Sequence, residues 1–268
     1  KFGLFGSLKE RDFSIAQFSV SSNYTSESDW DNYGGDPNQI FNPNNLIGPN
    51  NDKGTFINPQ TTIIQDANIF NARQQNIAAY ISNEFNFSEK LKSIIGLRLE
   101  DYQVFYTGEN SQLGQVFNNE NIISNINLFP SVNVIYNLKE NKNLRLAYSL
   151  TTARPSFKEA SIAEIFDPLS NLFFIGNIDI RPTYIDNFDI RYEAFSENAQ
   201  LFAISAFYKN LTDPIEIAFV AASFSNYKPL NLETANVFGL EIELRKNLST
   251  LFSMLEHWRI NFNGSYII

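Results

Sequence analysis

Polar and apolar residues alternate along most of the chain with a period of two residues. Because successive side chains of a β-strand point to opposite faces of the sheet, this pattern predicts strands with one apolar and one polar face. The clearest apolar face belongs to residues 143–150 and consists of Leu144, Leu146, Tyr148 and Leu150. The same alternation recurs near 187–193, 239–245 and 258–266.

The alternation predicts an all-β chain of about nine strands. These lie near 2–20, 74–87, 92–106, 127–137, 143–152, 183–195, 200–210, 233–247 and 257–268. Bacterial single-chain barrels close with an even number of strands, so nine strands indicate part of a barrel. Both ends of the sequence are strand-like, and its first residues show no signal-peptide pattern. We therefore expect residues 1–268 to be a fragment of one barrel domain.

The connections between these strands alternate between short and long. Tight turns are predicted at 87–91, 138–142 and 196–199, whereas long polar loops are predicted near 21–73, 107–126, 153–182 and 212–232. Outer-membrane barrels have short turns on one side and long loops on the other. A soluble β-sandwich shows the same strand period but has no reason to sort its loops in this way. The pattern therefore favours an antiparallel transmembrane β-barrel over a sandwich.

Aromatic residues gather at the predicted short-turn ends of the strands, at Phe85, Phe87, Tyr136, Phe195 and Trp258. Amphipathic rings at this level are typical of the girdle that lines a membrane–water interface. The alternative interpretation is that they are ordinary core aromatics.

Composition and charge exclude several classes of protein. The net charge of −9 argues against a nucleic-acid partner, and the absence of Cys removes thiolate metal sites. The only histidine, His257, cannot supply a catalytic triad or a histidine-rich metal site. Residues 29–36 resemble a calcium loop weakly but place Tyr33 where an oxygen ligand belongs. We expect no enzyme activity, no metal and no cofactor.

The second half of the chain resembles the late barrel strands of TonB-dependent receptors. The resemblance rests on the order and spacing of five elements, at 153–159, 176–183, 187–193, 207–209 and 236–243. The sequence departs from the family pattern at Ile178, where proline is usual, and at Thr183, where glutamate is common. Each element alone is weak, and the first half of the chain matches less sharply.

The resemblance implies a barrel of about twenty-two strands with an N-terminal plug, both plug and energy-coupling segment being absent from this sequence. It implies an outer-membrane receptor that imports a scarce nutrient, such as an iron chelate, cobalamin, a glycan or a peptide, by TonB-coupled gating. The implied partners are outer-membrane lipid, a TonB-type protein and the extracellular ligand; whether a surface lipoprotein caps the barrel stays open. A non-transporting barrel that acts as an adhesin or assembly partner is the alternative.

Two sets of candidate site residues follow. The motif residues are Arg154, Pro155, Glu159, Gly176, Asn177, Asn187, Arg191, Glu193, Glu241 and Glu243. Their expected role is mainly structural: the charged ones point into the lumen and pair with one another or with a plug, and Gly176 suits a turn that needs positive φ. The candidate ligand-binding residues are loop aromatics, which stack on sugars, peptides or siderophores or pack loop against loop. They are Trp30, Tyr33, Phe173, Phe174, Phe224 and Tyr227.

Overall fold

The computed structural model describes residues 1–16, 18–22, 36–49, 54–59, 66–196, 200–221, 223–248 and 257–268. These residues form fifteen strands. In chain order they are β1 Phe2–Ser14, β2 Phe18–Ser22, β3 Thr55–Pro59, β4 Ile69–Asn86, β5 Leu91–Asn110, β6 Gln115–Lys139, β7 Lys142–Ala153, β8 Glu164–Asp167, β9 Leu172–Ile175, β10 Thr183–Ser196, β11 Gln200–Thr212, β12 Ile215–Val220, β13 Ser223–Asn231, β14 Thr234–Asn247 and β15 Arg259–Ile267. The only helical elements described are Pro37–Ile40 and the 3-10 turns Pro43–Asn45 and Asp66–Asn68. None of the described helices could cross a bilayer.

Nine of the strands form one antiparallel sheet, in the order β1-β4-β5-β6-β7-β10-β11-β14-β15. Each strand pairs with the next long strand in the chain, as in an up-and-down barrel wall. β1 and β15 lie at the two edges, so the described sheet is open. This arrangement confirms the predicted antiparallel barrel wall of nine strands. Two of the predicted tight turns lie where expected, since β4 and β5 are joined by 87–90 and β6 and β7 by 140–141.

The predicted loop near 107–126 is wrong. β5 continues to Asn110 and β6 begins at Gln115, so these residues extend one long hairpin with a four-residue connection. Register shifts interrupt the ladder at 104–105 and 106–108, and Asn119 adopts a left-handed backbone conformation with φ of 51°. Each bulge moves side chains to the opposite face, so the period of two is lost from the sequence although the strands continue.

The other long connections contain short strands of their own. Within 15–68, β2 pairs with β3. The connection 154–182 carries β8 and β9, and the connection 213–233 carries β12 and β13. These four strands form a second sheet in the order β12-β13-β9-β8, in which β13 and β9 run parallel. We call this second sheet the loop sheet.

The apolar face of the main sheet forms a belt of constant height. On β7, β10, β11 and β14, four apolar side chains lie between two polar ones that are ten residues apart along the strand. The polar limits are Lys142 and Thr152, Asp186 and Ser196, Gln200 and Asn210, and Asn236 and Lys246. Ten residues at ~3.4 Å each, tilted by about 45°, span about 24 Å, which matches the ~25 Å apolar band of membrane barrels.

The aromatics near the short turns are solvent-exposed in this sheet. Phe85, Phe87, Tyr136, Phe195 and Trp258 are 40–65% exposed. The alternative that they form an ordinary core therefore does not hold for the described part of the chain.

Candidate functional site

The connection 154–182 folds back over the polar face of β4, β5 and β6. Two groups of buried residues hold it there. In the first, Ile162 and Ala163 pack against Phe70, Ala72 and Tyr106. Because these contacts remove the side chains almost completely from solvent, the connection is a packed layer and not a free loop. We call residues 154–182 the docked loop.

The second group lies nearer the middle of the sheet. Ala160 and Ile180 of the docked loop pack against Tyr102, Val104 and Ile123. The long β5–β6 hairpin supplies this surface. Tyr102 and Val104 belong to the predicted strand 92–106, and Ile123 belongs to the segment that the sequence analysis assigned to a loop.

Arg154 anchors the first residue of the docked loop. Its guanidinium forms an ion pair with Glu100 and lies 3.9 Å from the centre of the Tyr102 ring. Arg98 donates to the same carboxylate from Nε at 2.9 Å and from Nη2 at 2.6 Å. Glu100 is only 5% exposed, and two cations compensate its burial. Sequence analysis missed the link from Glu100 to the docked loop because Arg154 is 54 residues away in the chain.

Glu159, Gly176 and Asn177 meet inside the docked loop. The Ser156 amide donates to the Glu159 carboxylate at 2.7 Å, and the Asn177 amide donates to the Glu159 carbonyl at 2.8 Å. The two motifs at 153–159 and 176–183 are therefore two sides of one contact. Pro155, which begins this turn, is buried.

Gly176 is required for a reason that the sequence analysis did not predict. Its φ is not positive; the described glycines with positive φ are Gly54 and Gly114. A Cβ at Gly176 would lie 2.3 Å from the Ser161 carbonyl oxygen. Glycine is thus needed because two backbone segments approach closely, and the expectation of a positive φ is wrong.

The docked loop is joined to the connection 213–233 by a set of polar contacts. The Asn177 amide group donates to the Pro229 carbonyl at 3.0 Å. The Arg181 amide donates to Asn231 at 2.8 Å, and Asn231 donates back to the Arg181 carbonyl at 2.8 Å. The Arg181 guanidinium donates to Asp213 at 2.5 Å, and this hydrogen bond raises the pKa of Arg181. The two connections therefore form one unit.

The aromatic residues of this unit divide between the two faces of the loop sheet. Phe173 and Phe174 are neighbours on β9, so they point in opposite directions. Phe174 is buried, with its ring centre 5.6 Å from that of Tyr227 and 4.1 Å from the Lys158 ammonium. Phe173 is partly exposed and packs against Phe166, with the ring centres 4.9 Å apart and the ring planes tilted by 45°. In this structure Phe174 and Tyr227 pack one loop against the other.

Three other predicted aromatics cannot be placed. Trp30 and Tyr33 lie outside the described residues, and Phe224 belongs to β13 with a side chain outside the described set.

A charged network crosses the polar face of β7, β10 and β14. Arg191 donates to Glu193 at 2.8 Å and to Glu243 at 2.7 Å. Arg145 lies 2.9 Å from the second oxygen of Glu193, and Arg245 lies 2.6 Å from that of Glu243. Three cations thus share two carboxylates. The charged motif residues Arg191, Glu193 and Glu243 thus contact one another, and Arg145, which the sequence analysis did not single out, belongs to the same network.

Asn187 and Glu241 flank this network. Asn187 ties β10 to β7 by donating to the Ser149 carbonyl at 3.1 Å and to Thr151 at 2.9 Å. Glu241 accepts a bond of 3.3 Å from Ser205. The motif residues therefore fall into two places, the docked loop and the charged polar face. The described residues contain no group of side chains arranged to hold a metal ion.

The comparisons with known proteins agree with this architecture. The family model described as TonB dependent receptor-like, beta-barrel, matches residues 3–267. The siderophore receptor PirA from Pseudomonas aeruginosa is 15% identical with a TM-score of 0.55 over 75% of this chain and 35% of its own. The ferric citrate transporter FecA is 15% identical with a TM-score of 0.55 over 74% of this chain and 26% of its own.

The hemophore receptor HasR from Serratia marcescens is 11% identical with a TM-score of 0.56 over all of this chain and 42% of its own. The chain therefore spans about a quarter to two-fifths of the length of these three structures, and at these identities the likeness concerns the fold. Among curated proteins no match was found. The family match over nearly the whole chain shows that it belongs to the TonB-dependent receptor-like β-barrels.

Proposed function

We propose that the full-length protein is an outer-membrane receptor that imports a scarce extracellular nutrient through a gated barrel. The observation that carries this proposal is the pairing of a uniform apolar belt on one face with a charged face on the other. A wall of this kind separates lipid from a polar interior. The described sheet would supply nine strands of that wall.

Ligand capture would take place at the loop end of the wall. The docked loop and the loop sheet form a rigid platform there, since both are held by buried contacts and by hydrogen bonds between connections. Rigid positioning lowers the entropic cost of binding. Of the ligand-binding candidates named from the sequence, Phe173 and Tyr227 retain partial exposure on this platform, and Trp30, Tyr33 and Phe224 are further candidates.

The nutrient class follows only from relatives. The solved structures named above are a siderophore receptor, a ferric citrate transporter and a hemophore receptor in complex with its hemophore and heme. These names favour an iron source, while cobalamin, a glycan or a peptide remain candidates for this chain.

Energy-coupled gating is the second part of the proposal. The charged network, with the Glu241 carboxylate beside it, presents both signs of charge toward the barrel interior. A plug domain from the remainder of the protein could pair with it, and a TonB-type protein would act on that plug.

The first test is a gel of the full-length protein from isolated outer membranes, run unboiled and boiled. A heat-dependent mobility shift with a boiled mass well above 30.6 kDa is expected for a closed barrel. A protein found in the soluble fraction without a shift would contradict the proposal.

The second test is growth of a deletion strain on limiting iron sources, with the restored gene as control. Loss of growth on one source alone is expected for an importer. Unchanged growth on every nutrient, together with loss of surface attachment, would favour the adhesin alternative.

A further inference from the structure

The apolar face of the main sheet is not flat. A groove of about 440 Å³ crosses it over β6, β7, β10, β11 and β14. Five strands spaced by about 4.8 Å give the groove a length of about 19 Å. Its volume lies within the range of pockets that hold small molecules.

Two successive rows of side chains form the walls of the groove. The row nearer the loops consists of Val132 and four aromatic residues, Tyr148, Phe188, Tyr208 and Phe238. The row below consists of Val134, Leu146, Ile190 and Ala206. Ala206 is the smallest member of its row, so the groove has room for a guest beside it.

Hydrogen bonds fix the two tyrosines that shape the groove. The Tyr148 hydroxyl donates to Asp186 at 2.8 Å, and the Tyr208 hydroxyl donates to Asn236 at 2.7 Å. The Phe188 ring lies between them, with its centre 5.0 Å and 6.2 Å from the two tyrosine ring centres. Because these rings are held in place, the groove is preformed.

The rim of the groove is polar and carries no cation. Asp186, Asn210 and Asn236 are cross-strand neighbours that limit the belt at its loop end. They offer two amide groups and one carboxylate. A headgroup that bears hydroxyl or amide groups could bond to this rim, whereas a phosphate would face Asp186 without a compensating positive charge.

We propose that this groove holds one acyl chain of an outer-leaflet lipid whose headgroup carries hydroxyl or amide groups. The groove is continuous with the apolar belt, which would face the acyl chains of the bilayer. An acyl chain is therefore the group that is available to fill the groove. The proposal rests on the proposed membrane location. Any membrane barrel contacts many mobile lipids. The proposal states that one lipid is ordered, and that it lies in this groove.

The variant Ala206→Phe tests the proposal by filling the groove. The matched control is Ala79→Phe, because Ala79 lies on the apolar face of β4, away from the groove. Exclusion of about two methylene groups predicts about tenfold weaker retention of the lipid. A heat-dependent gel shift of each variant verifies that its barrel has folded.

The measurement is native mass spectrometry of the full-length protein extracted from outer membranes, with increasing detergent stringency. Wild type and A79F should retain one lipid after the others are stripped, and A206F should lose it. Equal lipid retention in both variants, or no retained lipid in wild type, would refute the proposal that the groove binds a lipid. A retained lipid with a bare phosphate headgroup would overturn the assignment of the rim. Absence of the protein from outer membranes would instead refute the proposed function.

Discussion

Gly176 offers the sharpest test of how the docked loop is held. In Gly176→Ala the new methyl group would meet the Ser161 carbonyl oxygen at 2.3 Å, a distance that requires one backbone segment to move. Movement would break the bond from the Gly176 amide to the Ala163 carbonyl, now 2.9 Å, and strain that from Asn177 to Glu159.

The cost can be bounded from these contacts. Two backbone hydrogen bonds contribute ~0.5–1.5 kcal/mol each, and an overpacked site costs about 1–3 kcal/mol. Together they predict about 2–6 kcal/mol for local opening of the docked loop. The main-sheet ladder does not pass through Gly176, so the unfolding midpoint of the barrel should change little.

Hydrogen exchange on the full-length protein measures this opening directly. A loss of about 2–6 kcal/mol corresponds to roughly 30- to 20,000-fold faster hydrogen exchange at the Gly176 and Asn177 amides. The matched control is Gly48→Ala, because a Cβ at Gly48 meets nothing within 4 Å. Hydrogen exchange at the wild-type rate at the Gly176 and Asn177 amides in both variants would refute the idea that the close approach of Gly176 to Ser161 holds the docked loop.

Three further predictions concern the charges. Glu193→Ala should lower the urea midpoint of the folded gel band by the equivalent of about 1–3 kcal/mol, because Arg145 loses its carboxylate partner and Arg191 keeps only Glu243. Glu241→Ala, which loses one hydrogen bond of 3.3 Å, should cost less, and the reverse order would contradict the network. Hydrogen bonds from Ser111 lower the pKa of Asp66, so the protection of the Ser111 amide should persist above pH 3.8 and disappear as the pH falls further. Asp66→Ala, which has no acceptor at this position, should lose the protection at pH 7. The rate of hydrogen exchange in the docked loop should increase from wild type through Arg154→Lys to Arg154→Met, because lysine keeps the positive charge but lacks the planar guanidinium. Equal rates in the three proteins would contradict the role of Arg154 as the anchor of the loop.

The strands were predictable because their signal is local. A period of two residues is set by backbone geometry, so residues 143–150 and 239–245 reveal their strands without knowledge of their neighbours. The same period fixes the apolar belt, since one register assigns every side chain to a face. Even the charged pairs of the polar face followed, because Arg191 and Glu193 share a face of one strand.

Contacts between distant segments were not predictable from such a signal. The docked loop depends on Arg154 reaching Glu100, and the loop sheet depends on β13 lying beside β9, about fifty residues away in each case. The motifs at 153–159 and 176–183 appeared in the sequence as separate elements, and only their approach in space shows why position 176 excludes a side chain. The sequence by itself thus determined the wall and its two faces, whereas the tertiary structure alone decided how the connections fold over that wall, because their packing joins residues that no periodic pattern relates.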